Sequence, residues 1–355
     1  MSASARVALV VIARDEAPRI QRLLYSVAPW VDTMWVLDTG SIDDTPALAA
    51  ACGARVERFT WCDDFAAARN SALTLAAADW HLVLDADEWL IDGGPALRAL
   101  QDNPRDFVGS IELVDQFFDG QARSAHQRLS RLLPGTVRYR GRVHEQPEHR
   151  LPVQPWPLRV GHDGYLPARL QAKRGRNRRL LQLALAEAPD DAYTWYQLGK
   201  DAAVYEEHAP AEQAFARAAA LHPPRRGWWL DLVTRRLFTL KRLQQHAQGL
   251  TLAETEMTAC GESPDFCFAL GDLLLDWAAE QPALSEQLLP MIEQAWRHCL
   301  LLGERPDLPG AVAGRGSHLA AHNLALVLEG TGRATEAAHL RGQWPIARTG
   351  RAESV

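Results

Sequence analysis

Residues 80–90 read Trp-His-Leu-Val-Leu-Asp-Ala-Asp-Glu-Trp-Leu, an apolar run that ends in two aspartates one residue apart. In extended chain, side chains at i and i+2 point the same way, so Asp85 and Asp87 share a direction. The pattern has precedents upstream. Val7–Ala13 is a Val-rich apolar run of the kind covered on both faces, and Arg14, Asp15 and Glu16 follow it. Met34–Leu37 leads into Asp38-Thr39-Gly40-Ser41, and Arg55–Phe59 and His81–Leu84 complete a set of four strands. Between them, Pro18–Val27 lines up Ile20, Leu23, Leu24 and Val27 on one helical side. Asp44-Thr45-Pro46 opens a helix that Gly53 ends, and Ala66–Ala78 is an alanine-rich helix. Strands alternating with helices of roughly 10–15 residues predict an α/β domain with a parallel sheet and crossover helices. Ligands of such sheets bind at the carboxyl ends of the strands, where Arg14–Glu16, Asp38–Ser41 and Asp85–Glu88 fall.

Farther along, Val108–Val114 and Thr136–Val143 predict short strands among Gly and Pro turns. From Leu170 the pattern is helical. Trp195, Leu198, Gly199, Ala211, Phe215, Ala218 and Pro223 stand where a tetratricopeptide repeat places its packing residues, although Ala202 replaces the usual aromatic. A weaker unit spans Asn323 to Ala338, and Pro264–Glu280 and Leu284–Leu302 are also helical. We expect two domains, residues 1–165 and an all-α repeat domain over 166–355, the latter a scaffold or a homodimer surface. Trp228-Trp229 reads as a repeat-packing pair.

The 355 residues are 47% hydrophobic and 23% charged, which excludes disorder as the main state. The formal charge of −6 lacks the basic footprint of a nucleic-acid binder. The acidity is concentrated: residues 1–92 hold 7 Arg and no Lys against 14 acidic residues, whereas the remainder is nearly balanced. Cys52, Cys62, Cys260, Cys267 and Cys299 form no C-x-x-C pair, so reduced thiols are expected. No run approaches a transmembrane length, and Val7–Ala13 lacks a cleavage site, so we expect a cytoplasmic protein.

A D-x-D at a strand end suits a hard divalent cation, which prefers carboxylates together with phosphate oxygens. Alone the motif is weak; here it gains from its place among acidic strand ends. The strings VALVVIARDEAPRI, VDTMWVLDTGSIDDT, FTWCDDFAAARNSAL and WHLVLDADEWL, in this order, resemble family 2 glycosyltransferases of the GT-A fold. YRGRVHEQP and GHDGY, followed by repeat-like helices, are similar to a branch that includes bacterial peptide S-glycosyltransferases. The resemblance implies a nucleotide-sugar donor, usually a uridine diphosphate (UDP) sugar, with Mn or Mg. It implies Ala13, Arg14 and Glu16 at the base and ribose, Asp38 in the uracil pocket and Arg69 on the nucleotide. Asp85 would hold the ribose or a metal-bound water, and Asp87 the metal. Asp38-Thr39 stands where many relatives have two consecutive carboxylates, which leaves the base preference open.

The family resemblance further implies inversion by direct displacement, which needs one general base for the acceptor proton. His144 and Glu145 are the candidates, and as adjacent strand residues they face opposite ways and do not both project into the site: His144 as a further metal ligand with Glu145 as base, the reverse, or Asp163 as base after His162. The basic run Arg169, Lys173, Arg174, Arg176, Arg178 and Arg179 faces the diphosphate, an acidic acceptor, or solvent. The acceptor is a peptide, a protein or a glycan. Two other classes remain: a silent repeat-based interaction protein, and a nucleotidyltransferase, against which the absence of Lys before Lys173 counts.

Overall fold

The computed structural model describes residues 5–118, 122–162, 175–225 and 227–345. Contacts divide the chain into two units, Met1–Glu187 and Ala188–Val355. The boundary expected near residue 165 lies outside the described residues, and the helix Arg176–Glu187 is part of the first unit.

The first unit is built on an eight-stranded sheet. Its strands are β1 (Val7–Ala13), β2 (Thr33–Asp38), β3 (Arg55–Arg58), β4 (Trp80–Asp85), β5 (Glu88–Asp92), β6 (Val108–Phe118), β7 (Ala122–Pro134) and β10 (Val153–His162). The order is β3-β2-β1-β4-β7-β6-β10-β5. The first four strands pair in parallel, as the strand–helix alternation predicts. Beyond β4 the sheet is mixed: β7 runs antiparallel to both β4 and β6, and β10 is parallel to β6 but antiparallel to β5. A two-stranded ribbon of β8 (Arg138–Arg140) and β9 (Gln146–Glu148) stands apart. It occupies only part of the strand expected over Thr136–Val143.

β1 is buried on both faces because it is flanked by two cores. Val7, Leu9, Val11 and Ala13 pack with Ile20, Leu23, Leu24 and Val27 of α1 (Ile20–Val27). Ala8 and Val10 pack on the opposite face with Ala68, Ala72 and Leu73 of α3 (Phe65–Ala76). Asp64 caps α3, its carboxylate accepting the Ala67 N–H at 2.8 Å. The alanines of α3 let the helix lie close to the sheet, and this closeness brings Arg69 within reach of the strand ends. α2 (Thr45–Ala51) and α4 (Gly94–Ala99) complete the cover, and α5 (Arg176–Glu187) closes the unit.

Every regular element among the second unit's described residues is a helix. The α-helices are α6 (Ala192–Val204), α7 (His208–Ala220), α8 (Trp229–Arg242), α9 (His246–Cys260), α10 (Pro264–Glu280), α11 (Ser285–Leu302), α12 (His318–Gly330) and α13 (Ala334–Gln343). Neighbours in this series pack around one core. The repeat pattern is physical at Gly199, where an added Cβ would lie 2.4 Å from the Phe215 ring. Trp229 is buried in the core and Trp228 stacks on Tyr196 at 4.9 Å, the packing role expected of that pair. All five cysteines are free thiols. Among the described residues no helix is long and apolar enough to cross a membrane.

His81 near the start of β4 is 1% exposed, and its Nε2 accepts the Ala78 N–H at 3.4 Å. Burial, with Arg138 nearby, pushes this imidazole down to about 4. The native state therefore binds fewer protons than the unfolded chain between that value and the ordinary His pKa near 6.5. Its contribution is fully present above pH ~6.5 and is lost as the pH falls toward ~4, on the order of 3 kcal/mol. Urea denaturation across this window should show a steeper loss in the wild type than in His81→Leu.

Candidate active site

The site is assembled where four strands end on one edge of the sheet. At the end of β1 the chain turns through Asp15, whose φ is 56°. Asp15 is tied to the loop after β2: its N–H donates to Ser41 Oγ at 3.0 Å and its carboxylate accepts the Ile42 N–H at 2.8 Å. The Glu16 N–H donates to Thr45 Oγ1 at 2.7 Å, and the Glu16 carboxylate accepts from Arg19. Arg14 is more than half exposed at this rim. Asp38 is 2% exposed at the end of β2 and accepts the Ser41 N–H at 3.0 Å. The Thr39 N–H donates to the Ala13 carbonyl at 2.9 Å, so the β1 and β2 ends form one fixed corner. Ala13, Arg14, Glu16 and Asp38 are thus brought together.

The centre of the site is a chain of alternating charges. Arg69 donates through Nε to Glu145 Oε1 and through Nη2 to Asp85 Oδ1, both at 2.5 Å. Arg131, from β7, donates through Nη2 to Asp85 Oδ2 at 2.8 Å and to Glu88 Oε1 at 3.1 Å. Glu88 Oε2 accepts the Asp85 N–H at 2.9 Å. The order Glu145–Arg69–Asp85–Arg131–Glu88 gives each arginine two carboxylates. Burial alone would raise the Asp85 carboxyl, but Arg131 and Arg69 hold it far below the usual range. Burial pushes Glu88 up to about 7, with Asp85 adding to the rise and Arg131 opposing it. Asp85 and Glu88 differ because both oxygens of Asp85 take arginine donors, whereas Glu88 is nearly sealed from water.

The motif around Arg69 also holds the other wall. The Asn70 side chain donates to the Tyr139 carbonyl at 2.9 Å and accepts the Tyr139 N–H at 2.8 Å, fastening β8 to α3. The Arg69 guanidinium lies 5.5 Å from the Tyr139 ring centroid. Arg69 Nη1 and Tyr139 Oη are both buried without a hydrogen-bond partner among the described residues. A polar group of a ligand or a water is the ordinary remedy for such atoms.

β4 ends at Asp85 and Asp87 stands in the turn that follows, so the shared direction expected of extended chain does not carry over. The Asp87 Oδ2 lies 3.5 Å from His162 Nε2 at the end of β10, and both side chains are largely buried. The carboxylate is a suitable donor for Mn or Mg, whereas the imidazole fits Mn and not the harder Mg, with water and substrate phosphates to fill the other positions. Among the described residues no three His, Cys, Asp or Glu side chains form a ready-made metal cage. His144 is exposed in a bend with φ 53°, and the strand β9 begins only at Gln146. The strand alternation expected to separate His144 from Glu145 is therefore absent, and Glu145 turns inward to Arg69. Asp163 lies outside the described residues.

Of the basic run, Arg169, Lys173 and Arg174 lie outside the described residues. Arg179 pairs with Asp63 at 2.7 Å, and Arg176 lies over the Phe65 ring at 5.5 Å. These two side chains are taken up within the first unit. Arg131, Glu88 and Asn70 were not singled out by the sequence pattern.

Ligands of open α/β sheets bind outside the carboxyl ends of the strands, which is where this charged cluster lies. Residues 8–150 match the family described as Glycosyl transferase family 2; this stretch holds the parallel strands and the arginine–carboxylate chain, and a helical region follows later in the chain. A TPR repeat-containing protein of Synechococcus elongatus is 40% identical over 216 residues, covering 56% of this chain and 52% of its own. The SPbeta prophage-derived glycosyltransferase SunS of Bacillus subtilis is 29% identical, covering 54% of this chain and 48% of its own. The chain thus spans about half the length of these curated relatives. Among solved structures, glucosyl-3-phosphoglycerate synthase of Mycobacterium tuberculosis, in a complex with Mn2+ and UDP, is 24% identical. That match covers 32% of this chain and 45% of the synthase with a TM-score of 0.27, too local to bear on the reaction.

Removing Arg69 leaves Asp85 and Glu145 without a shared counter-ion. Arg69→Met should lower the unfolding free energy by about 3–5 kcal/mol. Arg176→Met, at an exposed position, should change it by less than about 0.5 kcal/mol. Chemical denaturation of the two variants checks the contrast.

Proposed function

We propose that the chain is a glycosyltransferase that moves a sugar from a nucleoside diphosphate sugar, UDP-linked by preference, to a peptide or protein acceptor, with inversion and with a divalent cation. The observation that carries the reading is the separation of the two D-x-D carboxylates, Asp85 on arginines and Asp87 beside His162. The corner made by Ala13, Arg14, Glu16 and Asp38 receives the base and ribose. Arg69 and Asp85 fix the ribose side, with Arg69 Nη1 and Tyr139 Oη as donors still to be satisfied.

Asp87 and His162 would hold the cation, which when bound supplies positive charge to the leaving diphosphate. The protein's own part is to keep that pair in register. β10 pairs with β5 so that His162 stands opposite Glu88, one residue from Asp87. Glu145 is the base. Arg69 engages its Oε1, and among the described residues no group hydrogen-bonds Oε2, which is left to accept the acceptor's proton. A thiol acceptor makes a smaller demand on that base than a hydroxyl, because Cys ionises more readily. The helical unit is assigned to acceptor binding because stacked helical repeats present extended surfaces to peptides.

A screen of nucleotide sugars for Mn-dependent release of nucleoside diphosphate tests the reading. Asp87→Ala should reduce that release by about 100-fold or more. Glu145→Gln should lower kcat by about 100- to 10,000-fold while leaving the donor KM near the wild-type value. Full activity in Asp87→Ala, or metal-independent release, contradicts the reading.

A further inference from the structure

We propose that the helical unit holds a subsite for the guanidinium of an arginine side chain on a peptide, and that Arg225 fills this subsite until a peptide arginine displaces it. The subsite stands on the geometry of this unit alone, whatever the donor of the first unit proves to be.

The carboxylate at its base is Glu256 of α9, which is 3% exposed. A carboxylate sealed to this degree needs a cation and hydrogen bonds. Its Oε2 accepts the Trp229 Nε1–H of α8 at 2.9 Å. Its Oε1 lies 3.0 Å from Arg225 Nη2. Arg225 stands in the segment between α7 and α8, not on a packed helix. The Arg225 side chain is 55% exposed, against 4% for the carboxylate it serves. Its guanidinium lies 5.6 Å from the Trp229 ring centroid, within reach of a cation–π contact.

A neighbouring pair shows how a fixed ion pair is built in this unit. Arg236 of α8 and Glu212 of α7 are 12% and 10% exposed and are joined by three hydrogen bonds. Both are carried by packed helices, and their charges cancel within the pair. Glu256 instead takes its counter-ion from a connecting segment, through a side chain that is mostly in water.

Beside Arg225 a cavity of about 380 Å³ stays open, walled by Trp229, Leu232, Val233 and Leu252. That volume suits a side chain together with its adjoining backbone. The apolar walls take the methylene stem, the indole takes the flat cation, and Glu256 accepts its N–H groups. Arg236 and His222 also line the cavity. With Arg225 in place and His222 neutral, the two arginines and two glutamates sum to zero. When Arg225 leaves, one negative charge remains, and it belongs to a nearly sealed carboxylate. Such a site selects a cation to refill it, and Arg225 shows that an arginine borne on a chain segment fits.

Nuclear magnetic resonance on the full chain tests this through the indole N–H of Trp229, identified by its loss in Trp229→Phe. The probe is the blocked tripeptide acetyl-Gly-Arg-Gly-amide, which should shift that signal saturably. Arg225→Ala removes the internal competitor and should tighten binding of the probe by about tenfold. Glu256→Gln, added to Arg225→Ala, keeps an acceptor for the indole but removes the charge. Binding should then weaken by about tenfold or more. A lysine probe of the same form should bind about threefold or more weakly than the arginine probe. A norleucine probe should leave the signal in place. An Arg225→Ala variant that loses stability and gains no affinity shows Arg225 to be a structural partner of Glu256 and overturns the inference. A norleucine probe that shifts the signal as the arginine probe does, or a lysine probe that binds as tightly, also overturns it. If the Glu256→Gln variant does not fold, the Arg225→Ala comparison across the three probes decides on its own. No nucleotide or cation enters these measurements, so their failure leaves the donor reading as it stands.

Discussion

The first unit depends on a single electrostatic arrangement, the buried alternation Glu145–Arg69–Asp85–Arg131–Glu88. It draws one residue from α3, one from the end of β4, one from β5, one from β7 and one from the bend before β9. Buried charges are tolerated only when paired and hydrogen-bonded, and removal of one partner strands the other. Five chain segments are thereby locked to one geometry. The alanine-rich face of α3 and the Asn70–Tyr139 backbone pair serve the same end, bringing Arg69 down to the sheet and the Glu145 bend up to Arg69.

This arrangement divides labour within the D-x-D motif. Asp85 has an arginine donor on each carboxylate oxygen. Asp87, two residues on, belongs to a separate pair with His162. Glu88, pushed up to about 7 by burial, acts as a hinge between Arg131 and the Asp85 amide. A sheet end carrying so many carboxylates would repel a diphosphate. The two arginines offset part of that charge, and under the proposed function a cation beside Asp87 and His162 would offset more. The acid surplus of residues 1–92 is partly neutralised by Arg131, which lies outside that stretch.

The parallel half of the sheet was legible because its signals are local. Val7–Ala13 is read as a doubly covered strand from seven residues, and its alternating side chains enter two cores. Asp38, Asp85 and Asp87 could be placed at strand ends for the same reason. The antiparallel insertion of β7 beside β4 was not legible, because pairing Leu82 with Leu132 is set by contacts fifty residues apart. Arg131 and Glu88 were hidden with it, since an arginine in a strand and a glutamate after a D-x-D look like solvated residues until burial is known. His144 and Glu145 were taken for strand neighbours, and a positive-φ bend replaces that strand. His162 was noticed only as the neighbour of Asp163, while its register opposite Glu88 is what brings it to Asp87. In the helical unit the repeat pattern was readable from small residues such as Gly199 and Ala211, whose neighbours leave no room for more.

The central claim is that Asp87 and His162, and not Asp85, receive the cation that accompanies a nucleoside diphosphate. Anomalous diffraction from a crystal of the full chain grown with Mn and UDP tests it most directly. The account predicts one manganese peak between Asp87 and His162, in contact with the diphosphate, with Asp85 still held by Arg69 and Arg131. A peak coordinated by Asp85, or by His144, would contradict it.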